Sequence, residues 1–194
     1  MQSFEILQNI IRNRRSTKPA DMNGKQIDNT LIHQLLELAD WAPTHGRTEP
    51  WRFIVYEGAA IKTFFGDHAA LYKANTDPEK FTQAKYEKLQ QQGDPVSHII
   101  VVYMSRTLNN SIPANEEAAA VASAIENILL GASALAIATL WSTGGMTHHP
   151  AMKTYLGLKP EDLVMGILHL GYTDLPLKEG KRNIALENKV DWRG

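Results

Sequence analysis

Cysteine is absent from this 194-residue chain, which excludes disulfides, thiolate catalysis, cysteine-ligated zinc and iron–sulfur clusters. Charge of one sign is also lacking: 20 basic residues face 21 acidic ones, for a formal net charge of -1. A clustered basic surface is what grips nucleic-acid phosphates, so no nucleic-acid partner is expected. The patterns G-x-G-x-x-G, P-loop lysine, G-x-S-x-G and H-E-x-x-H do not occur, which removes the common nucleotide, hydrolase and zinc-protease signatures. No apolar run is long enough for a bilayer, because Glu116, Glu117, Glu126 and Asn127 interrupt the best candidate. The first residues, Met1 to Leu7, lack the basic start and continuous apolar core of a signal peptide. A cytoplasmic protein is therefore expected, and Asn109-Asn110-Ser111 reads as a chance glycosylation match. Hydrophobic content of 43% and the absence of linker composition predict one domain over residues 1–194.

What is present reads as alternating helices and strands. Ser3 can cap a first helix whose Phe4, Leu7, Ile10 and Ile11 recur at helical spacing. It runs into Arg12-Asn13-Arg14-Arg15-Ser16-Thr17-Lys18-Pro19. Those cations are either a solvated helix end that complements the dipole or an anion site of arginine forks and the Ser16 hydroxyl. A second helix carries Ile27, Leu31, Leu35 and Leu38, and Trp51 to Tyr56 suits a strand. Between them lies Trp41-Ala42-Pro43-Thr44-His45-Gly46-Arg47-Thr48-Glu49-Pro50, in which two prolines bracket a histidine, a glycine and an arginine. It is either a ligand-binding loop on rigid supports or an ordinary solvated connection.

Farther on, the pattern predicts a short helical piece, Ala59 to Phe65, and then a polar, exposed and partly helical excursion, Asp67 to Gln92, that reads as a mobile segment or lid. Val96 to Met104 is a strand whose apolar run, Ile99 to Tyr103, places it centrally with both faces covered. His98 there reads as a hydrogen-bonded core or edge histidine. Ala114 to Leu140 is the longest element, about 40 Å if it is one helix. Its alanines, with Gly131 and Ser133, suit close helix packing, either in the core or between subunits. Trp141-Ser142-Thr143-Gly144-Gly145 follows, either as a plain turn or as backbone able to approach a flat ligand or an anion. Pro150 to Leu156 is a helix, Leu163 to Leu170 a strand, and Thr173 to Gly194 a tail without a core of its own.

His45, His148 and His149 could in principle assemble a zinc site, although adjacent histidines rarely share one metal. Glu116-Glu117 reads as favourable charge in the first turn of the long helix rather than as a general acid and base.

Three motifs, in this order and in register with these elements, carry a resemblance: Arg14-Arg15-Ser16, then Ala42-Pro43-Thr44-His45 with Pro50-Trp51-Arg52-Phe53, then Trp141-Ser142-Thr143-Gly144-Gly145. Together they make the chain similar to the FMN-dependent nitroreductase family, and within it to the small members of the YdjA-like kind. The resemblance implies an α+β fold with a mostly antiparallel sheet wrapped by helices. It implies a homodimer with an extended C-terminal tail and FMN at the subunit interface. The implied activity is ping-pong oxidoreduction, with NAD(P)H as co-substrate and a nitroaromatic or quinone-type small molecule as electron acceptor. An alternative is a flavin-binding module without efficient turnover. Carried over residue by residue, Arg14, Arg15 and Ser16 would bind FMN, with Trp41 and His45 reaching it from the opposite subunit. Trp141, Ser142 and Thr143 would lie along its other side, and Lys181 or Arg182 would supply a tail cation near the phosphate. The family pattern has an arginine where this chain has Trp41. No protein side chain is implied as an obligatory acid, since the hydride chemistry belongs to the flavin.

Overall fold

A computed structural model describes residues 1–107 and 111–194, so Asn109 and Asn110 of the glycosylation pattern lie outside the described residues. Four strands form one antiparallel sheet in the order β1-β2-β4-β3: β1 (Trp51–Glu57), β2 (His98–Met104), β3 (Ala138–Ser142) and β4 (Leu163–Gly171). The two inner strands, β2 and β4, are the apolar runs. Their alternation sends Ile100, Val102, Leu168 and Leu170 to one face and Ile99, Val101, Val164 and Ile167 to the other.

On the first face lie α2 (Asn29–Asp40) and α5 (Ala114–Ala134). Asp28 caps α2 through the Thr30 N–H. Ala120, Ala124, Ile128 and Ala132 of α5 are buried at helical spacing. Gly131 shows why the residues are small: a Cβ there would stand 2.6 Å from Leu38 and 2.9 Å from Leu35 of α2. The long helix is thus a core helix, and the closeness its composition predicts is used against α2.

The long helix ends at Ala134 rather than Leu140, so it spans about 32 Å. The reversal uses Ala136 in the left-handed region (φ 55), closed by the Ile137 N–H to the Ala132 carbonyl at 2.8 Å. No glycine or proline marks that stop, and Ala138 to Ser142 is a strand. The polar excursion is largely helical and partly packed on the core. Helix α3 (Ala59–Asn75) continues ten residues past Phe65, and α4 (Gln83–Gln90) packs against it on the second face of the sheet. Ile61, Phe65, His68 and Tyr72 form one buried stripe, and Leu89 of α4 joins them. His68 and Tyr72 belong to that stripe despite their polar atoms, which is why the segment reads as exposed in sequence.

The remaining helices are α1 (Gln2–Asn13), whose N-cap position is Met1 rather than Ser3 and carries no side-chain cap, and α6 (Pro150–Tyr155). No residue of α1 is buried. His98 donates to or accepts from Ser97 and Asn29 at 2.8 and 2.9 Å, a hydrogen-bonded core histidine as expected. Among the described residues no helix is long and apolar enough to cross a membrane, and no cluster of His, Asp and Glu could hold a metal ion.

Candidate functional site

The chain leaves α1 at Arg14 in extended conformation, because the sheet edge captures it. Ser16 pairs in parallel with Thr139 of β3, and the Thr17 N–H donates to the Thr139 carbonyl at 2.8 Å. This addition to the sheet fixes Arg14-Arg15-Ser16 along one wall of a cavity of about 290 Å³. Ser133, Ile137 and Thr139 form another wall, and Leu175 to Lys178 of the tail form a third.

Electrostatically the cavity is uneven. The Arg15 guanidinium donates to the carbonyls of Arg12, Arg14 and Lys178 at 2.6, 2.8 and 2.9 Å, and among the described residues it has no carboxylate partner. Arg14 stands 3.9 Å from Glu126 of α5, both of them partly exposed. Lys178 reaches Asp21 at 3.4 Å. Neutral carbonyls orient a guanidinium without cancelling its charge, so Arg15 keeps most of its attraction for an anion. The tail is held in place by Thr173, whose hydroxyl donates to the Asp21 carbonyl at 2.6 Å.

The other predicted site residues are elsewhere. Trp41, the C-cap of α2, is 86% exposed and does not line the cavity. His45 sits in a single turn, His45–Arg47, with its Nδ1 at 2.6 Å from Glu116 in the first turn of α5. The Glu126 that meets Arg14 lies ten residues along the same helix, roughly 15 Å away. Trp141 folds onto β4, where a Cβ at Gly166 would run into the indole and where Nε1 donates to the Met165 carbonyl at 3.0 Å. Ser142 ends β3 and its hydroxyl accepts from the Gly144 N–H at 3.4 Å, while Thr143 is exposed beside it. Among the described residues Arg182 bonds the Lys181 carbonyl alone, at 3.2 Å, and the cation that the tail does bring to the cavity is Lys178. Sequence reasoning also missed Thr139 and Thr17, whose part is backbone pairing and leaves no side-chain signature.

The loop that follows β3 is fastened from beneath. Buried His68 accepts the Met146 N–H at 2.7 Å, and a Cβ at Gly145 would stand 2.5 Å from that same imidazole nitrogen. Paired glycines here allow the backbone to approach a core histidine. Burial, followed by the neighbouring His169, holds His68 down to about 4, and burial holds His169 down to about 4 as well.

An antiparallel sheet covered by helices on both faces, with an arginine-lined cavity where the first helix joins the sheet edge, defines an α+β protein. The chain matches the Nitroreductase family over residues 11–172 and belongs to it. The Bacillus subtilis protein named "Putative NAD(P)H nitroreductase YfhC" is 27% identical over 174 residues, covering 90% of this chain and 88% of that one. A crystal structure of a nitroreductase-like family protein from Bacillus cereus is 27% identical, with a TM-score of 0.81 over 96% of this chain and 95% of that chain. A nitroreductase with bound FMN from Bacteroides fragilis shares the fold, at 23% identity and a TM-score of 0.68 over 91% of this chain and 94% of that chain.

Proposed function

We propose that this protein is an FMN-dependent NAD(P)H oxidoreductase of nitroreductase type, acting as a homodimer. The observation that carries the reading is the cavity in which Arg15, paired among the described residues with carbonyls alone, stands beside Arg14, Ser16 and Lys178. That donor set fits a phosphate monoester: guanidinium forks match its oxygens, and the dianion would compensate charge that the carbonyls leave uncancelled. When bound there, FMN would supply hydride acceptance from NAD(P)H and two-electron delivery to a nitroaromatic or quinone-type acceptor.

The chain's own residues bind and orient. Arg14, Arg15 and Ser16 would hold the phosphate and ribityl end, and the β3 edge would support the flavin ring system. A cavity of about 290 Å³ is at the small end for an organic cofactor, whose sites run from about 300 to 1,000 Å³. Coverage from a second copy is therefore part of the proposal. Exposed apolar groups support it: Phe4, Leu7 and Ile11 form a stripe along α1, and Trp41 and Trp192 are exposed as well. In the assembled dimer, Trp41 and His45 of one protomer would reach the cavity of its partner.

The test is spectroscopic. Purified protein, reconstituted with FMN if necessary, should show visible flavin absorbance that bleaches on anaerobic addition of NADH or NADPH. Failure to retain FMN at all would reject the proposal, whereas bound FMN that neither nicotinamide reduces would assign a flavin-binding module instead.

A further inference from the structure

The loop that carries His45 is tied twice to the start of α5, at Ile112 just before the helix and at Glu116 in its first turn, and the two ties do different work. Gly46, at φ 62, presses against Ile112, where a Cβ would stand 2.6 Å from the side-chain tip. Ile112 is held in turn by Arg106, which donates to its carbonyl at 2.8 Å and forms a buried ion pair with Glu117. This chain of contacts fixes the backbone of the loop. Gly46, Arg47 and Glu49 all have positive φ, a conformation that costs free energy at the two non-glycine positions. The loop is thus held in one shape by its surroundings rather than by its own preference. Glu116, the neighbour of Glu117, makes the second tie, to the His45 ring itself.

We infer that Glu116 is a positioning residue that fixes the tautomer of His45 and turns its Nε2 outward to accept a hydrogen bond from bound ligand. A carboxylate only accepts, so an imidazole nitrogen 2.6 Å from it carries the hydrogen. With the hydrogen on Nδ1, neutral His45 has its lone pair on Nε2, which has no partner among the described residues. A solvated neutral histidine side chain prefers the other tautomer, with the hydrogen on Nε2, so the carboxylate reverses the default and converts the outward nitrogen from donor to acceptor. The chemistry it would meet is an imide N–H or a ligand hydroxyl, and FMN carries both. This inference rests on the proposed flavin site for its ligand, but the tautomer does not depend on any ligand.

The experiment is therefore made in two arms on the full chain. Long-range proton–nitrogen NMR of the ligand-free protein at alkaline pH, with the His45 signals assigned by their loss in His45→Asn, should show the hydrogen on Nδ1. In Glu116→Ala it should move to Nε2. Both residues are exposed, so the variant should fold, and an unchanged remainder of the spectrum checks that it has. A wild-type tautomer with the hydrogen on Nε2, or one that Glu116→Ala leaves unchanged, overturns the inference. In the second arm, FMN titration should show Glu116→Ala and His45→Ala each weakening binding roughly three- to tenfold, the range for one hydrogen bond. The double variant should be no weaker than His45→Ala alone. Additive losses overturn the coupling, whereas no loss on His45→Ala, with the tautomer as stated, refutes the assignment of His45 to the flavin site and with it the ligand-facing half of the inference.

Discussion

Arg14 and Arg15 are adjacent, yet their surroundings assign them different weights. Arg14 faces Glu126 at 3.9 Å, so part of its charge is already answered. Arg15 is oriented by three carbonyls and, among the described residues, faces the cavity without a carboxylate partner. Removing Arg15 should therefore cost more cofactor affinity than removing Arg14. Loss of a charge-assisted hydrogen bond costs about 1.5 to 3 kcal/mol, or roughly ten- to hundredfold in affinity. Arg15→Ala should fall in that range in an FMN titration, and Arg14→Ala at its lower edge or below. Arg15→Lys should recover part of the loss, since it restores charge without the planar fork. Equal losses for the two alanine variants would show that the phosphate does not discriminate between them.

At the scale of elements, the buried histidines predict how stability follows pH. His68 on α3 and His169 on β4 both titrate near 4 in the folded protein, against an ordinary 6.5. Between those values the unfolded chain binds protons that the folded chain refuses, so stability falls as pH is lowered from about 6.5 to about 4 and is level above that window. Each pKa unit is worth about 1.4 kcal/mol, which makes the two together a loss on the order of several kcal/mol. Denaturant midpoints measured at about pH 7 and about pH 5 should differ accordingly, and His169→Phe should flatten the dependence. A midpoint independent of pH across that range would mean that neither imidazole is neutral and buried as described. Protonation of His68 would also remove the acceptor of the Met146 N–H, so the loop after β3 should lose amide protection early in the same window.

The same elements show what a sequence discloses. β2 and β4 were legible because an uninterrupted apolar run has few other uses than an inner strand. The early end of α5 was not, since its stop is an alanine in the left-handed region and no residue type announces it. The length of α3 was hidden because its inward stripe passes through His68 and Tyr72, which a polarity pattern counts as outside. At the site, Arg14-Arg15-Ser16 was legible as cations beside a hydroxyl. The selection of Lys178 over Arg182 was not, because it depends on where Thr173 pins the tail to Asp21.

Taken whole, the molecule keeps its proposed ligand-binding groups in two separate places. The arginine cavity opens where α1 meets the sheet edge, and the His45 loop stands roughly 15 Å farther along α5, counted between the glutamates that each of them meets. A two-fold symmetric pair could unite them, since a contact from one copy's loop to the other's cavity is repeated by symmetry and builds two sites at once. That arrangement has a consequence no single chain can imitate. Arg15→Ala and His45→Ala subunits, combined in one dimer, would place both intact residues in one site and both substitutions in the other. At an FMN concentration too low to fill either homodimeric variant, the purified mixed dimer should bind about one FMN per two chains. If both residues served the same chain's cavity, every site in the mixed dimer would carry one defect and none would fill. Sedimentation of the wild type as a monomer would remove the premise, and an empty mixed dimer would move His45 out of the partner's site.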